Sequence, residues 1–527
     1  MVNEIKEDEI QRNPWVTAIP LMLAMFIYVL DGTIANVALP HMAGTFSATR
    51  DESLWILTSY MIAGGIVIPT VGWFSKLMGR KNFFMFSLFL FSFASMLCGM
   101  ARNIEFMIFA RILQGFGGGG ILPLGQAILL EGFPKEKRGL AMSVFGLGVI
   151  VAPIIGPVLG GWITDNWSWP WIFYINIPFG CLAVLLSKKL LYDPPYARRQ
   201  KGVKIDTVGF ITLSLWLITL QVVLDKGNNA DWFNATWICW TFGFSVVFCI
   251  AFFISQLLNK DSLVDLAVFK DKNYSAGTII QIVMQGVLYA SLAILPQFLQ
   301  NMLGYTAFLS GATMMPRGFG ALAAIGLCSF LADRINKRIL VAVGLTLLGT
   351  STFIFGSLNL QIASINIVIP NFIMGLGMGL AMIPIIAISV ETLTNEQMTN
   401  ATGLQNLLKN IGSAIGTSVV GTMLTRFAQV HQYMLVGNLS PLNENFIIRL
   451  KSMGGALMQY TAPDVANHMA QYQMYRQLIQ QSTLMAFMDA FRIFGALCIA
   501  VIPLLLFCKT TSHKIRRQKN HDITIGH

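Results

Sequence analysis

Charge is what this chain has least of. Only 12% of its 527 residues are Asp, Glu, Lys or Arg, about half of what a soluble globular protein carries. That scarcity excludes a soluble enzyme or a soluble binding module. Histidine is missing from every long apolar stretch: the six, at 41, 431, 468, 513, 521 and 527, all fall outside them. Any proton that crosses a membrane on these side chains must therefore ride on a carboxylate. The seven cysteines form no CxxC or CxxH cluster, so neither a metal site nor a disulfide framework is supported. The first 14 residues are polar and charged, and the first apolar run is too long for a signal-peptide core, so no cleaved signal is expected.

Apolar runs are abundant. The chain is 55% hydrophobic, and stretches of about 20 apolar residues, each long enough to cross a bilayer as a helix, recur throughout. An all-α polytopic membrane protein follows, because helices satisfy their own backbone in lipid. Fourteen spans are predicted, at 15–38, 53–75, 82–101, 104–129, 139–162, 170–190, 206–225, 235–258, 273–300, 306–332, 338–358, 362–390, 403–428 and 483–508. An even number places both termini on one side, and the basic residues choose it. With the termini inside, the inner segments hold Lys76, Arg80, Lys81, Lys188, Lys189, the linker 191–205 and the basic tail 509–519. The short outer loops hold only Arg50, Arg102 and Lys226, the asymmetry that the positive-inside rule describes. The net charge of +11 thus faces anionic lipid and implies no nucleic-acid partner.

"GWFSKLMGRK" (72–81) after span 2 is echoed by "SFLADRINKR" (329–338) after span 10. A repeat offset by eight spans fits two six-helix halves with two extra helices between them, the build of many secondary transporters. The expected units are an N-terminal half (1–190), a basic linker with two inserted helices (191–272), and a C-terminal half (273–527) containing a long outer loop at 429–482. That loop carries apolar residues at helical spacing, such as Ile447, Leu450 and Met453. It is expected to form short amphipathic helices that cover either the membrane interface or a partner.

Asp31, in "YVLDGTIANVALP", is the most informative residue. An Asp at the centre of a span costs roughly 2.5–3.5 kcal/mol on an insertion scale and normally marks an ion path inside the bundle. A carboxylate caught between burial and a nearby arginine can load and release a proton as access alternates. The plainer reading is an Asp pinned to Arg111 or to a helix end. Arg111, with Gln114 and Gly115 one turn on, is the second inward charge of this half; it could tune Asp31, hold an anion, or simply form a structural ion pair. Arg317, after Pro316, is its parallel in span 10. Gln281, Gln285 and Tyr289 share a stripe on span 9 that lines a cavity or hydrogen-bonds to a neighbouring helix. Asp489 and Arg492, at i and i+3, would neutralise each other. Glu391 and Lys409 lie near span ends, where long side chains snorkel. The run "GFGGGG" lacks the strand a phosphate loop needs; its glycines, like Gly375, Gly377 and Gly379, suit close helix packing. Ala152, Gly156 and Gly160 form a small-residue stripe beside Pro153 and Pro157.

Several stretches carry a family resemblance. "LDGTIANVALP" (30–40) resembles the first-helix signature of the 14-helix drug:proton antiporters of the major facilitator superfamily. "RILQGFGGGG" (111–120) is similar to their fourth-helix motif, and "GLGVIVAPIIGPVLGGWI" (146–163) to their fifth-helix antiporter motif. "WPWIFYINIPFG", "LPQFLQNMLGYT" and "NIGSAIGTSVVGTML" extend the likeness over nearly the whole chain, nearest to the EmrB-type branch. The resemblance implies the major facilitator fold and export of lipophilic compounds across a bacterial inner membrane, driven by the proton gradient with no other cofactor. It implies partners too: an EmrA-like periplasmic adaptor and a TolC-type outer-membrane channel. By the same resemblance, Asp31 and Arg111 couple protons, and Tyr28, Asn36, Gln114, Gln281, Gln285, Tyr289 and Arg317 line the substrate cavity. Pro153, Gly156, Pro157 and Gly160 form the antiporter motif, and Gly72, Arg80, Asp333 and Arg334 the cytoplasmic gate. The chain departs from the pattern at Lys76, where relatives carry an acid, at Leu77, where they carry Arg, and at Lys409, where they often carry Arg.

Two rivals stay open on residues alone. An importer on the same fold is disfavoured by the span-5 motif. A polytopic lipid or sugar transferase would need a clustered acidic pair or metal ligands at the membrane surface, and none is evident.

Overall fold

The computed structural model describes residues 14–134, 137–194, 198–199, 206–259, 263–305, 307–331 and 335–508. Seventeen α-helices are described: α1 (Pro14–Thr45), α2 (Arg50–Met78), α3 (Arg80–Gly99), α4 (Ile104–Gly118), α5 (Ile121–Gly132), α6 (Arg138–Asn166), α7 (Trp171–Tyr174), α8 (Asn176–Leu190), α9 (Thr207–Lys226), α10 (Thr236–Leu258), α11 (Lys272–Gln297), α12 (Ala307–Leu331), α13 (Lys337–Phe355), α14 (Ile365–Ser389), α15 (Asn395–Val436), α16 (Glu444–Leu457) and α17 (Pro463–Ala500). Each of the fourteen predicted windows falls on a helix, with α4–α5 and α7–α8 each filling one. Eleven stretches among the described residues are long and apolar enough to cross a membrane; α6, α12 and α15 occupy the other three windows. α15 is less apolar because it buries Gln405, Asn406, Lys409 and Ser413 against protein rather than lipid.

Local signals set the helix starts. Thr49 accepts from the Glu52 N–H (3.2 Å) while Glu52 accepts from the Thr49 N–H (2.7 Å), a reciprocal cap that begins α2. Asn103 accepts from the Phe106 N–H (2.9 Å) and begins α4. The break between α4 and α5 falls in the glycine run, and close packing is its reason. A Cβ on Gly115 would sit 2.4 Å from the Tyr60 carbonyl, and one on Gly117 2.4 Å from the Phe91 nitrogen. The same holds in the second half, where a Cβ on Gly375 would meet the Arg317 carbonyl at 1.7 Å.

α1 packs on α6 and α8, and α4 on α2 and α3; α14 packs on α12 and α13, and α15 on α11 and α17. α9 and α10 pack mainly on each other and meet the bundle through α9, against α2 and α15. Trp240, Val247, Leu257 and Leu258 of α10 are left exposed, as a lipid-facing helix requires.

The segment 429–482 is not a connection with short helices alone. α16 is such a helix, but α15 runs on to Val436 and the last helix begins at Pro463, about 20 residues before its predicted window. α15 has 42 residues, about 63 Å at 1.5 Å per residue, twice the roughly 30 Å of hydrocarbon a span must cross. Its end, α16 and the start of α17 therefore form a helical protrusion. His431 on α15 meets Asp489 on α17 at 2.7 Å, and Arg492 approaches the other Asp489 oxygen at 3.4 Å.

Candidate functional site

Asp31 and Arg111 are each fully buried, and Arg111 Nη1 donates to Asp31 Oδ2 at 2.8 Å. Asp31 Oδ1 accepts from Gln114 Nε2 (2.9 Å) and from Asn176 Nδ2 (2.7 Å). The carboxylate thus holds one cation and two amide donors, enough to make a buried charge tolerable. Arg111 is fixed in turn. Its Nε donates to the Ile56 carbonyl (3.0 Å), Nη1 also donates to Gln114 Oε1 (2.6 Å), and the guanidinium lies 4.3 Å from the Tyr60 ring centroid. Ser95 ties the cluster together: its Oγ accepts from Gln114 (3.0 Å) and Asn176 (2.9 Å) and donates to the Phe173 carbonyl (3.0 Å). Five elements, α1, α2, α3, α4 and α8, contribute to this cluster, with α4 and α8 touching the carboxylate itself. Chemically it is a buried acid whose proton would compete with an arginine.

Sequence reasoning found Asp31, Arg111 and Gln114 and missed Asn176 and Ser95. Asn176 had a signal, a lone amide inside the apolar "YINIPF"; Ser95 had none. Tyr28 stands beside the cluster, its ring 6.2 Å from Tyr60 and 6.3 Å from Phe91. α6 presses on α1 one turn beyond Asp31. A Cβ on Gly156 would meet Thr33 Oγ1 at 2.2 Å, and one on Gly160 would meet Ile34 Cγ1 at 2.7 Å. The side chains of Asn36, Pro153 and Pro157, and residues Asp333 and Arg334, lie outside the described part of the chain.

The second half holds no copy of the Asp31 pair among the described residues. Arg317 donates from Nε (3.2 Å) and Nη2 (3.0 Å) to Asn371 Oδ1 on α14. Gln281 and Gln285 line a small, open-sided cleft together with Met284, Met378, Met382 and Lys409. Tyr289, two turns on from Gln281, does not line that cleft and is 39% exposed. Lys409 differs from expectation. It is 5% exposed and its side chain lines this cleft inside the bundle instead of snorkelling outward. Glu391 pairs with Lys337 at 3.2 Å.

Gly72 packs on α15, where a Cβ would lie 3.4 Å from the Asn400 Cα. The contacts between the first and last helices gather at this end. Asn406 donates to Gln126 (3.0 Å), Thr402 donates to the Pro123 carbonyl (3.3 Å), and a Cβ on Gly146 would lie 3.8 Å from Ile325 and Ile383. Arg80 pairs with Glu131, at the end of α5. Nearby, Asp193 accepts from the Lys81 N–H (2.8 Å). Burial pushes its carboxyl above the ordinary 3.8, against the opposing pull of that N–H, Arg80, Lys81 and Arg198. A raised carboxyl contributes stability that is present below its unfolded value and is lost as pH rises through its folded value. Thermal melts should therefore show the wild type losing stability relative to Asp193→Asn as pH rises above 3.8. A constant gap between the two across that range would show that folding does not raise the Asp193 carboxyl.

Comparison with known proteins places this geometry. Residues 21–417 match the family model described as Major Facilitator Superfamily. The multidrug export protein EmrB of Haemophilus influenzae is 34% identical over 428 residues, covering 80% of this chain and 83% of that protein. The protein of the same name from Escherichia coli K12 is 31% identical over 94% of this chain and 95% of its own. The fatty acid resistance protein FarB of Neisseria gonorrhoeae is 34% identical over 81% and 84%. In fold, the crystal structure of the human organic anion transporter TETRAN superposes with a TM-score of 0.62 at 12% identity, covering 94% of this chain and all of that one. The chain is a multi-pass membrane protein that belongs to the major facilitator superfamily, a family of transporters rather than enzymes.

Proposed function

We propose that this protein exports lipophilic, amphipathic small molecules across the bacterial inner membrane in exchange for protons. The observation that carries the reading is Asp31: a fully buried carboxylate held by one arginine and two amides, with no histidine in any predicted span to take its place. In this reading a proton arriving on Asp31 releases Arg111, and α1 then shifts against the Gly156–Gly160 face of α6. Residues 1–190 and 273–527 act as two halves that rock about a central path, with 191–272 as a lipid-facing insert. The basic loops put both termini in the cytoplasm, so the end sealed by Gly72, Asn400, Thr402 and Asn406 is the cytoplasmic one. Tyr28, Gln281, Gln285, Tyr289 and Arg317 border the path. Multidrug export by the EmrB relatives and fatty acid resistance in FarB suit such a path.

Purified protein in liposomes with an imposed pH gradient tests this. Lipophilic cations and weak acids are offered as substrates, and proton counterflow is read with an internal dye. Gradient-driven accumulation matched by proton movement is expected. Downhill flux indifferent to the gradient would remove the antiport reading.

The protrusion fits a periplasmic adaptor that leads on to an outer-membrane channel. Tyr433 (82%), Leu442 (95%) and Tyr460 (83%) stand exposed on it, the residue types that anchor interfaces. Replacing 440–461 with a Gly/Ser linker keeps α15 and α17 whole. That variant should transport normally in liposomes yet confer no resistance in cells that contain the adaptor. Intact resistance with intact adaptor pull-down would leave the protrusion as a membrane-surface cover.

A further inference from the structure

The cleft between α11, α14 and α15 contains a charge that the coupling reading leaves unused. Lys409 is 5% exposed and lines the cleft. It makes no ion pair and no side-chain hydrogen bond among the described residues. The acids that might have answered it are engaged elsewhere: Asp31 with Arg111 and Glu391 with Lys337. An ammonium so deep in a bundle is strongly unfavourable without a counter-charge. A chain that keeps one there leaves a place for an anion brought from outside. The other walls describe the rest of that anion. Met284, Met378 and Met382 offer flexible, polarisable apolar surface that adapts to many shapes. Gln285 adds an amide donor, and Gln281, whose Nε2 donates to Ser389 Oγ at 3.1 Å, keeps a buried Oε1 with no partner.

We propose that this cleft is an anion-receiving subsite of the export path. Lys409 pairs with the acidic head of an amphipathic substrate, and the three methionines hold the adjoining part of its apolar body. The proposal rests on the export reading above and narrows its substrate class to organic anions with an apolar tail. Like-charged repulsion makes the same subsite reject cationic amphiphiles, which would have to bind elsewhere in the cavity.

Three probes with one tail separate the possibilities: dodecanoate, dodecanol and dodecyltrimethylammonium. Equilibrium binding to the full chain in lipid nanodiscs is read without a pH gradient. The wild type should bind dodecanoate at least about tenfold tighter than dodecanol, the scale of one charge-assisted contact. Lys409→Met should erase that preference and leave dodecanol binding unchanged, and Lys409→Arg should keep it. Lys409→Met should also melt above the wild type, because it removes an unpaired buried charge; that reading certifies the fold. Three results would overturn the proposal: no carboxylate preference in the wild type, a preference that survives in Lys409→Met, or equal loss of all three probes in that variant. None of these depends on proton coupling. An Asp31 variant that stays coupled would sink the antiport reading while the binding data stand.

Discussion

Asp31→Asn is expected to reduce proton-driven export to the level of protein-free liposomes, and to weaken the fold as well. The first effect is loss of the titratable oxygen. The second follows from its partners. Arg111, Gln114 and Asn176 all donate to this carboxylate, and an asparagine amide offers one acceptor where they need two. Arg111 is then left as a buried cation without its counter-charge, a loss on the scale of about 3–5 kcal/mol. Export and stability therefore have to be separated. Asp31→Asn with Arg111→Gln removes both charges, so it should recover much of the melting temperature and none of the gradient-driven export. Asp31→Glu retains the proton but lengthens the arm by one methylene inside a packed cluster, and should export weakly. Wild-type export against a gradient by Asp31→Asn would show that the coupling proton binds elsewhere.

Gly156→Ala should abolish export almost as completely, for steric reasons. Its Cβ would lie 2.2 Å from Thr33 Oγ1, two residues after Asp31 on α1. α6 must move outward or Thr33 must find a new rotamer, and such overpacking costs about 1–3 kcal/mol. Gly160→Ala meets Ile34 Cγ1 at 2.7 Å and its backbone oxygen at 3.2 Å, and should behave alike. Gly421→Ala is the control. A Cβ there finds nothing within 4 Å, and Ala is the better helix former by about 1 kcal/mol, so its melting temperature and export should equal or exceed those of wild type. If all three substitutions are equally harmless, α1 and α6 do not need their close approach.

The parts of this molecule that face lipid were the parts legible in its sequence. A span must be apolar on its lipid side, so fourteen windows could be read, and a charge inside a window stands out as Asp31 and Arg111 do. Surfaces that face protein carry no such signature. Asn176 binds Asp31 as closely as Arg111 does, and Ser95 holds Asn176 and Gln114 in place, yet one amide and one hydroxyl in an apolar run look ordinary. Helices outside the bilayer are under no pressure to be apolar, which is why the predicted window at 483 opens about 20 residues after α17 begins. The same reason hid the depth of Lys409. Polar residues at 395–402 read as a loop, whereas the helix starts at Asn395 and Lys409 is buried within the bundle. The glycine run, by contrast, was legible from physics: small residues with no strand before them meant packing, and the Cβ contacts at Tyr60 and Phe91 bear that out.

α15 carries one further consequence. It is a single proline-free rod whose first turns hold Asn400 and Thr402 at the closed end and whose last turns stand in the protrusion. A stiff rod of about 63 Å behaves as a lever arm. A pivot of a few degrees about its midpoint, where Gly412 and Gly416 lie against Ile282 and Gly286 of α11, swings its two ends in opposite directions. The tip is thus a mechanical indicator of the gate, and a load clamped on the tip is felt as torque at Asn400.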